Sequence, residues 1–186
     1  MNSPAIRIIA FVLLLQAMAC GTRVSFRENP DTAGSLTTLI IVRHAEKDST
    51  GTDPPLSGTG KRRAAYLGEM LRESEISALI ASPRLRTIET LAPIAASRTL
   101  PVTVIPLDKG VRAHVAELID TVLIRYAGLT ALVASHSDVI PILLRTLGVT
   151  DNITIGDDEY DNVFIVTVPL QEGKPPTMVR LMIGTR

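Results

Sequence analysis

The chain has 186 residues, 46% hydrophobic but only 3% aromatic, so one domain accounts for the length and its core must be aliphatic. Lys+Arg and Asp+Glu are both 19, which excludes a global basic field for recruiting nucleic acid; any anion binding must come from local arginines. The single cysteine, Cys20, excludes an internal disulfide.

Residues 1–19 carry one cation (Arg7), an apolar run Ile8–Leu15 and the small-residue end Ala17-Met18-Ala19, the pattern of a secretory signal. The apolar run is too short for a permanent membrane span. Cys20 follows directly, resembling a bacterial lipoprotein signal in which that cysteine is lipidated, although Ala17 stands where leucine is usual. The expectation is an exported, cell-envelope protein anchored to the membrane through Cys20. Simple cleavage, leaving a soluble exported protein, is the alternative. Residues 20–38 are polar and irregular and read as a flexible tether, with the folded domain expected over 39–186.

The apolar run from Leu39 ends abruptly at Arg43-His44, as a strand buried on both faces does. Asp48–Pro55 is a loop, because Gly51, Pro54 and Pro55 bar a helix. A first helix follows with Ser57 as N-cap and Ala64, Leu67, Met70 and Leu71 as its apolar stripe. Ile76–Ala81 is a second strand ending at Ser82-Pro83. The helix after it, about Pro83–Ala96, contains Pro93, which predicts a kink or an early end. Val102–Ile105 is a third strand, Val111–Tyr126 a helix, Leu129–Ala134 a fourth strand and Ile140–Leu147 a helix with Gly148 at its end. Val163–Val168 and Met178–Ile183 form a closing antiparallel pair. This order predicts an α/β fold, a three-layer α/β/α sandwich around a mostly parallel sheet.

Three strand ends carry the chemistry: Arg43-His44, Ser82 to Arg86, and His136. In a parallel sheet they share one edge, where ligands of open α/β sheets bind. Guanidinium forks match phosphoryl oxygens, and an imidazole can take the phosphoryl group covalently. The arginines supply positive charge without a metal, and His44, His114 and His136 include no close pair of the kind a zinc site uses. His114, within a predicted helix and lacking a motif partner, reads as a partly exposed surface imidazole. Lys61-Arg62-Arg63 reads as a solvated face.

These motifs resemble the histidine phosphatase superfamily, which includes cofactor-dependent phosphoglycerate mutases and small bacterial phosphohistidine phosphatases. Arg43-His44-Ala45 matches its Arg-His-Gly signature with alanine for glycine, and Leu56-Ser57-Gly58-Thr59-Gly60 its Leu-Ser/Thr-x-x-Gly segment. Ser82, Arg86 and Thr90 match Ser-x-x-x-Arg-x-x-x-Thr, and His136 the late histidine after a buried strand. The resemblance implies a phosphoglycerate mutase-like fold and a metal- and cofactor-independent phosphatase acting on phosphomonoesters or phosphoramidates. It implies His44 as the phosphorylated nucleophile, Arg43 and Arg86 as phosphate-binding arginines, and His136 as a donor to the transferring group. The general acid is expected at Asp108, with Asp138 and Glu46 as alternatives. About fifty residues separate Arg86 from His136, too few for the long mutase insertion, which favours an open-sited phosphatase. A small phosphorylated molecule or a phosphoprotein is the expected partner. The alternatives are a catalytically weak phosphate-binding lipoprotein and, less favoured, a mutase-type phosphotransferase. Glu159-Tyr160-Asp161-Asn162 resembles a segment recurring in this subgroup and is a candidate border of the pocket.

Overall fold

The computed structural model describes residues 36–184. The expected signal, the lipidation site Cys20 and most of the tether lie outside the described residues. Six strands form one sheet in the order β3-β2-β4-β1-β5-β6. The strands are β1 (Leu36–Arg43), β2 (Ala78–Ala81), β3 (Val102–Val104), β4 (Thr130–Ser135), β5 (Asn162–Pro169) and β6 (Thr177–Met182). The first four run parallel; β5 is antiparallel to both β1 and β6. The expected α/β sandwich with a mostly parallel sheet is the observed one.

Two apolar layers enclose the sheet. Leu39, Ile41, Ile80, Val133 and Phe164 point to one face, packed by Val115 and Leu118 of α3 (Val111–Asp120) and Ile140, Leu143 and Leu144 of α4 (Ile140–Thr146). Ile40, Val42, Leu79, Leu132 and Val163 point to the other, packed by Leu67 of α1 (Gly58–Met70) and Leu91 and Ile94 of α2 (Leu85–Arg98). Both alternating sets of β1 are therefore buried, which is why its sequence is a continuous apolar run.

Several boundaries differ from the sequence expectation. Strand β1 begins at Leu36, inside the expected tether, because the eight-residue β5 pairs it down to Leu36 opposite Pro169. Helix α2 runs through Pro93 to Arg98, with Leu91 and Ile94 buried on either side of the proline holding the turn in place. The helix from Val111 changes to a π-helical turn over Thr121–Arg125. Met70, expected in the α1 stripe, is 37% exposed, while Ala64, Leu67 and Leu71 are buried.

Candidate active site

Register sets the site. Arg43 lies opposite Ser135 in the parallel β1–β4 pair, and the His44 amide donates to the Ser135 carbonyl at 2.9 Å. The next residue after each strand is a histidine, and the His44 and His136 ring centroids are 5.3 Å apart. Strand β2 pairs with the other side of β4 and delivers Ser82 and the start of α2 to the same edge.

The protonation pattern of His44 follows from its partners. Its Nδ1 donates to the carbonyl of Ala45 at 2.8 Å, which leaves the Nε2 lone pair outward, where Nε of Arg86 donates to it at 3.2 Å. Burial lowers the His44 pKa to about 4; the Ala45 hydrogen bond opposes this, and the charges of Arg86, Arg43 and Lys47 reinforce it. His44 is thus a neutral imidazole presenting a nucleophilic nitrogen throughout the physiological range.

His136 is held from the other side. Its Nε2 is 2.8 Å from the Ser82 hydroxyl, which is 3.0 Å from that of Thr87. The Thr87 hydroxyl contacts the carbonyls of Ser82 and Arg84 at 2.9 and 2.7 Å. With Thr87 donating to a carbonyl, Ser82 donates to Thr87 and accepts from Nε2–H of His136. Burial lowers the His136 pKa to about 3, aided by the charges of His44, Arg86, His114 and Arg84.

Each position of the Ser82, Arg86, Thr90 spacing has a separate task. Ser82 orients His136, Arg86 meets His44, and Thr90, 2% exposed, accepts the Ala45 amide at 3.0 Å while donating to the Arg86 carbonyl at 2.6 Å. The four-residue spacing brings the last two onto one face of α2.

Arg43 is anchored across the molecule. Its Nη1 donates to the carbonyls of Gly156, Asp157 and Glu159 at 2.7, 2.8 and 3.2 Å, and its guanidinium stacks 4.1 Å from the centre of the Tyr160 ring. Its Nε is buried without a partner. Tyr160 and the 156–159 carbonyls close the β5 side of the site, as the recurring segment suggested.

Ala45 needs no glycine. It is buried against Leu56 and Ala64, and Thr99 is the one non-glycine residue with positive φ among the described residues. At Gly60 the glycine is required: a Cβ there would run into the Glu46 carbonyl oxygen and sit 3.0 Å from the Glu46 nitrogen. Ser57 caps α1 as expected, accepting from the Gly60 amide at 3.1 Å.

The carboxylates take distinct positions. Glu46 is engaged by Arg63 through three hydrogen bonds of 2.7 to 3.1 Å. Burial raises its pKa, but the Arg63 bonds and charge outweigh this and hold it below the usual range. Glu46 is thus an ionised anchor, and Arg63 belongs to that half-buried pair rather than to a solvated face. Asp108 is exposed and lines a cleft beside the site; no hydrogen bond or ion pair joins it to the two histidines or two arginines among the described residues. Asp138 is also exposed and lies within electrostatic range of Arg86. Asp53, which sequence reasoning left in a loop, sits 3.6 Å from Nη1 of Arg86 and accepts the Leu85 amide at 3.2 Å. His114 is 1% exposed, not a surface imidazole: its Nδ1 faces the carbonyls of Ile105 and Pro106 at 3.1 and 3.0 Å.

The profile of the histidine phosphatase superfamily (branch 1) matches residues 39–107. Among curated proteins no sequence match is significant. The fold is shared with the protein histidine phosphatase SixA solved with tungstate (TM-score 0.58, 20% identity, 78% of this chain and 96% of that one). It is also shared with an Escherichia coli K-12 protein proposed to be an α-ribazole-5'-P phosphatase (TM-score 0.62, 17% identity, 79% and 96%). A third is a phosphoserine phosphatase from Entamoeba histolytica (TM-score 0.58, 15% identity, 80% and 98%).

Proposed function

We propose that this protein is a member of the histidine phosphatase superfamily that hydrolyses phosphomonoesters or phosphoramidates through a phosphohistidine on His44, without a metal. The observation that carries the reading is the fixed tautomer of His44: Nδ1–H is tied to the Ala45 carbonyl, and Nε2 carries no proton and accepts from Nε of Arg86. The partnerless Nε of Arg43 and the Nε of Arg86 are the donors that phosphoryl oxygens would take up. In the first step the Nε2 lone pair attacks phosphorus and the bond to the leaving oxygen or nitrogen breaks, that atom taking a proton from a carboxylic acid. In the second step water attacks phosphorus, the P–N bond breaks, and the carboxylate takes the water's proton, releasing inorganic phosphate. Asp108 is assigned as that acid, since it lines the cleft open to a leaving group. His136 becomes a donor when the arriving dianion offsets the burial and neighbouring charge that lower its pKa, so phosphate binding is coupled to proton uptake.

An N-terminal lipid anchor at Cys20 would place this activity at the cell envelope, as the signal-like sequence suggests. Replacing His44→Ala should abolish turnover of phenyl phosphate and the acid-labile, base-stable phosphoenzyme formed on mixing. Turnover within tenfold of wild type would refute the mechanism.

A further inference from the structure

On the β3 side of the candidate active site a cleft of about 370 Å³ is lined by Pro83, Arg84, Val104, Pro106, Leu107 and Asp108. It sits at the carboxyl ends of β2 and β3, continuous with the edge that holds His44 and His136. The opposite flank is closed by Tyr160 and the 156–159 carbonyls, and Asp53 covers Arg86 and the start of α2. A group leaving from phosphorus is therefore directed toward β3, over the apolar surface of Pro83, Val104, Pro106 and Leu107.

Arg84 is the one cation on that path, and its placement is electrostatically unfavourable in the protein alone. It is the N-cap residue of α2 and makes no side-chain cap bond there, so a positive charge sits at the positive end of the helix dipole. It is exposed and has no hydrogen-bond or ion-pair partner for its side chain among the described residues. It also acts on its neighbours: after the larger effect of burial, its charge helps to lower the pKa of both Arg86 and His136. The helix dipole and the charge of Arg86 thus both act against a guanidinium with no ion-pair partner among the described residues. A second anion in the cleft would relieve both.

We propose that this cleft is a leaving-group subsite in which Arg84 binds a second anionic group, a carboxylate or a phosphate, on a substrate with a compact apolar body. The inference rests on the phosphatase reading for the phosphoryl end of the substrate. The substrates selected are therefore phosphorylated acids and bisphosphates rather than neutral alcohol esters.

Binding of phosphonates, which are not hydrolysed, separates this inference from the catalytic mechanism. Calorimetric titration of the protein should give roughly tenfold tighter binding of 4-carboxybenzylphosphonate, or of the bisphosphonate of p-xylene, than of benzylphosphonate. The arm with the larger gain identifies the anion class. Arg84→Met, which keeps the apolar stem, should erase the difference, and Arg84→Glu should instead favour 4-(aminomethyl)benzylphosphonate. Equal affinities in wild type, or a preference that survives Arg84→Met, would overturn the subsite. Turnover retained by His44→Ala would overturn the phosphohistidine mechanism alone.

Discussion

Thr90 holds the His44–Ala45 peptide, and replacing Thr90→Val tests that role with almost no change of shape. Both residues are β-branched, so their helix preferences are close. The substitution removes the hydroxyl that accepts the Ala45 amide at 3.0 Å in a position only 2% exposed. The second bond lost, to the Arg86 carbonyl, matters less, because that carbonyl lies in α2 and keeps its helical partner. The main penalty is therefore one buried amide left without an acceptor, a cost of about 1–3 kcal/mol. Taking about 2 kcal/mol, the melting temperature of a domain this size should fall by roughly 4–8 °C, and the urea midpoint should drop with an unchanged slope. Because the Ala45 carbonyl also receives Nδ1–H of His44, kcat should fall with stability, while Thr90→Ser should keep most of both. An unmoved urea midpoint in Thr90→Val would show that the amide has another partner and refute the reasoning.

Four further outcomes follow from the same geometry. Protonation removes the Nε2 lone pair, so the acid limb of kcat/KM for phenyl phosphate, corrected for substrate ionisation, should lie near pH 4; a limb at the ordinary histidine value of 6.5 would contradict the burial of His44. The unfolded chain binds the extra proton first, so stability measured in urea should also decline as pH falls from 6.5 toward 4. Gly60→Ala should destabilise by about 1–3 kcal/mol despite alanine's better helix propensity, because its methyl meets the Glu46 backbone; a raised melting temperature would count against that contact. Tyr160→Ala should raise KM for phenyl phosphate roughly threefold to thirtyfold with a smaller change in kcat, and Tyr160→Phe should restore it, since the ring face contacts Arg43.

What the sequence reveals depends on the range over which each feature is determined. Strand β1 is legible because burial on both faces leaves no polar position in Leu39–Val42, and the Ser57 cap because its partner Gly60 is three residues away. Ser82, Arg86 and Thr90 are legible as a spacing, but what each one touches depends on β4 and β1 arriving at the same edge. His114 and Arg63 show a misread local signal: each lies four residues before a buried leucine, Leu118 and Leu67, and so sits on the buried side of its helix. Polarity suggested the surface, while helical phase pointed inward. Arg43 is the long-range case. Its partners are more than a hundred residues away, and no local pattern shows that one of its nitrogens holds carbonyls.

That distance bears on the order in which the molecule comes into being. A ribosome releases Arg43 and His44 long before Gly156 to Tyr160, and β5 must lie down beside β1 before those carbonyls reach the guanidinium. Until the last quarter of the chain has been made, β1 has an open edge and Arg43 has nothing to fix its direction. A nascent chain with four parallel strands already paired still lacks a fixed Arg43 guanidinium. The closing hairpin thus acts as a completion step, and the fixed direction of Arg43 is the last feature of this edge that the growing polypeptide acquires.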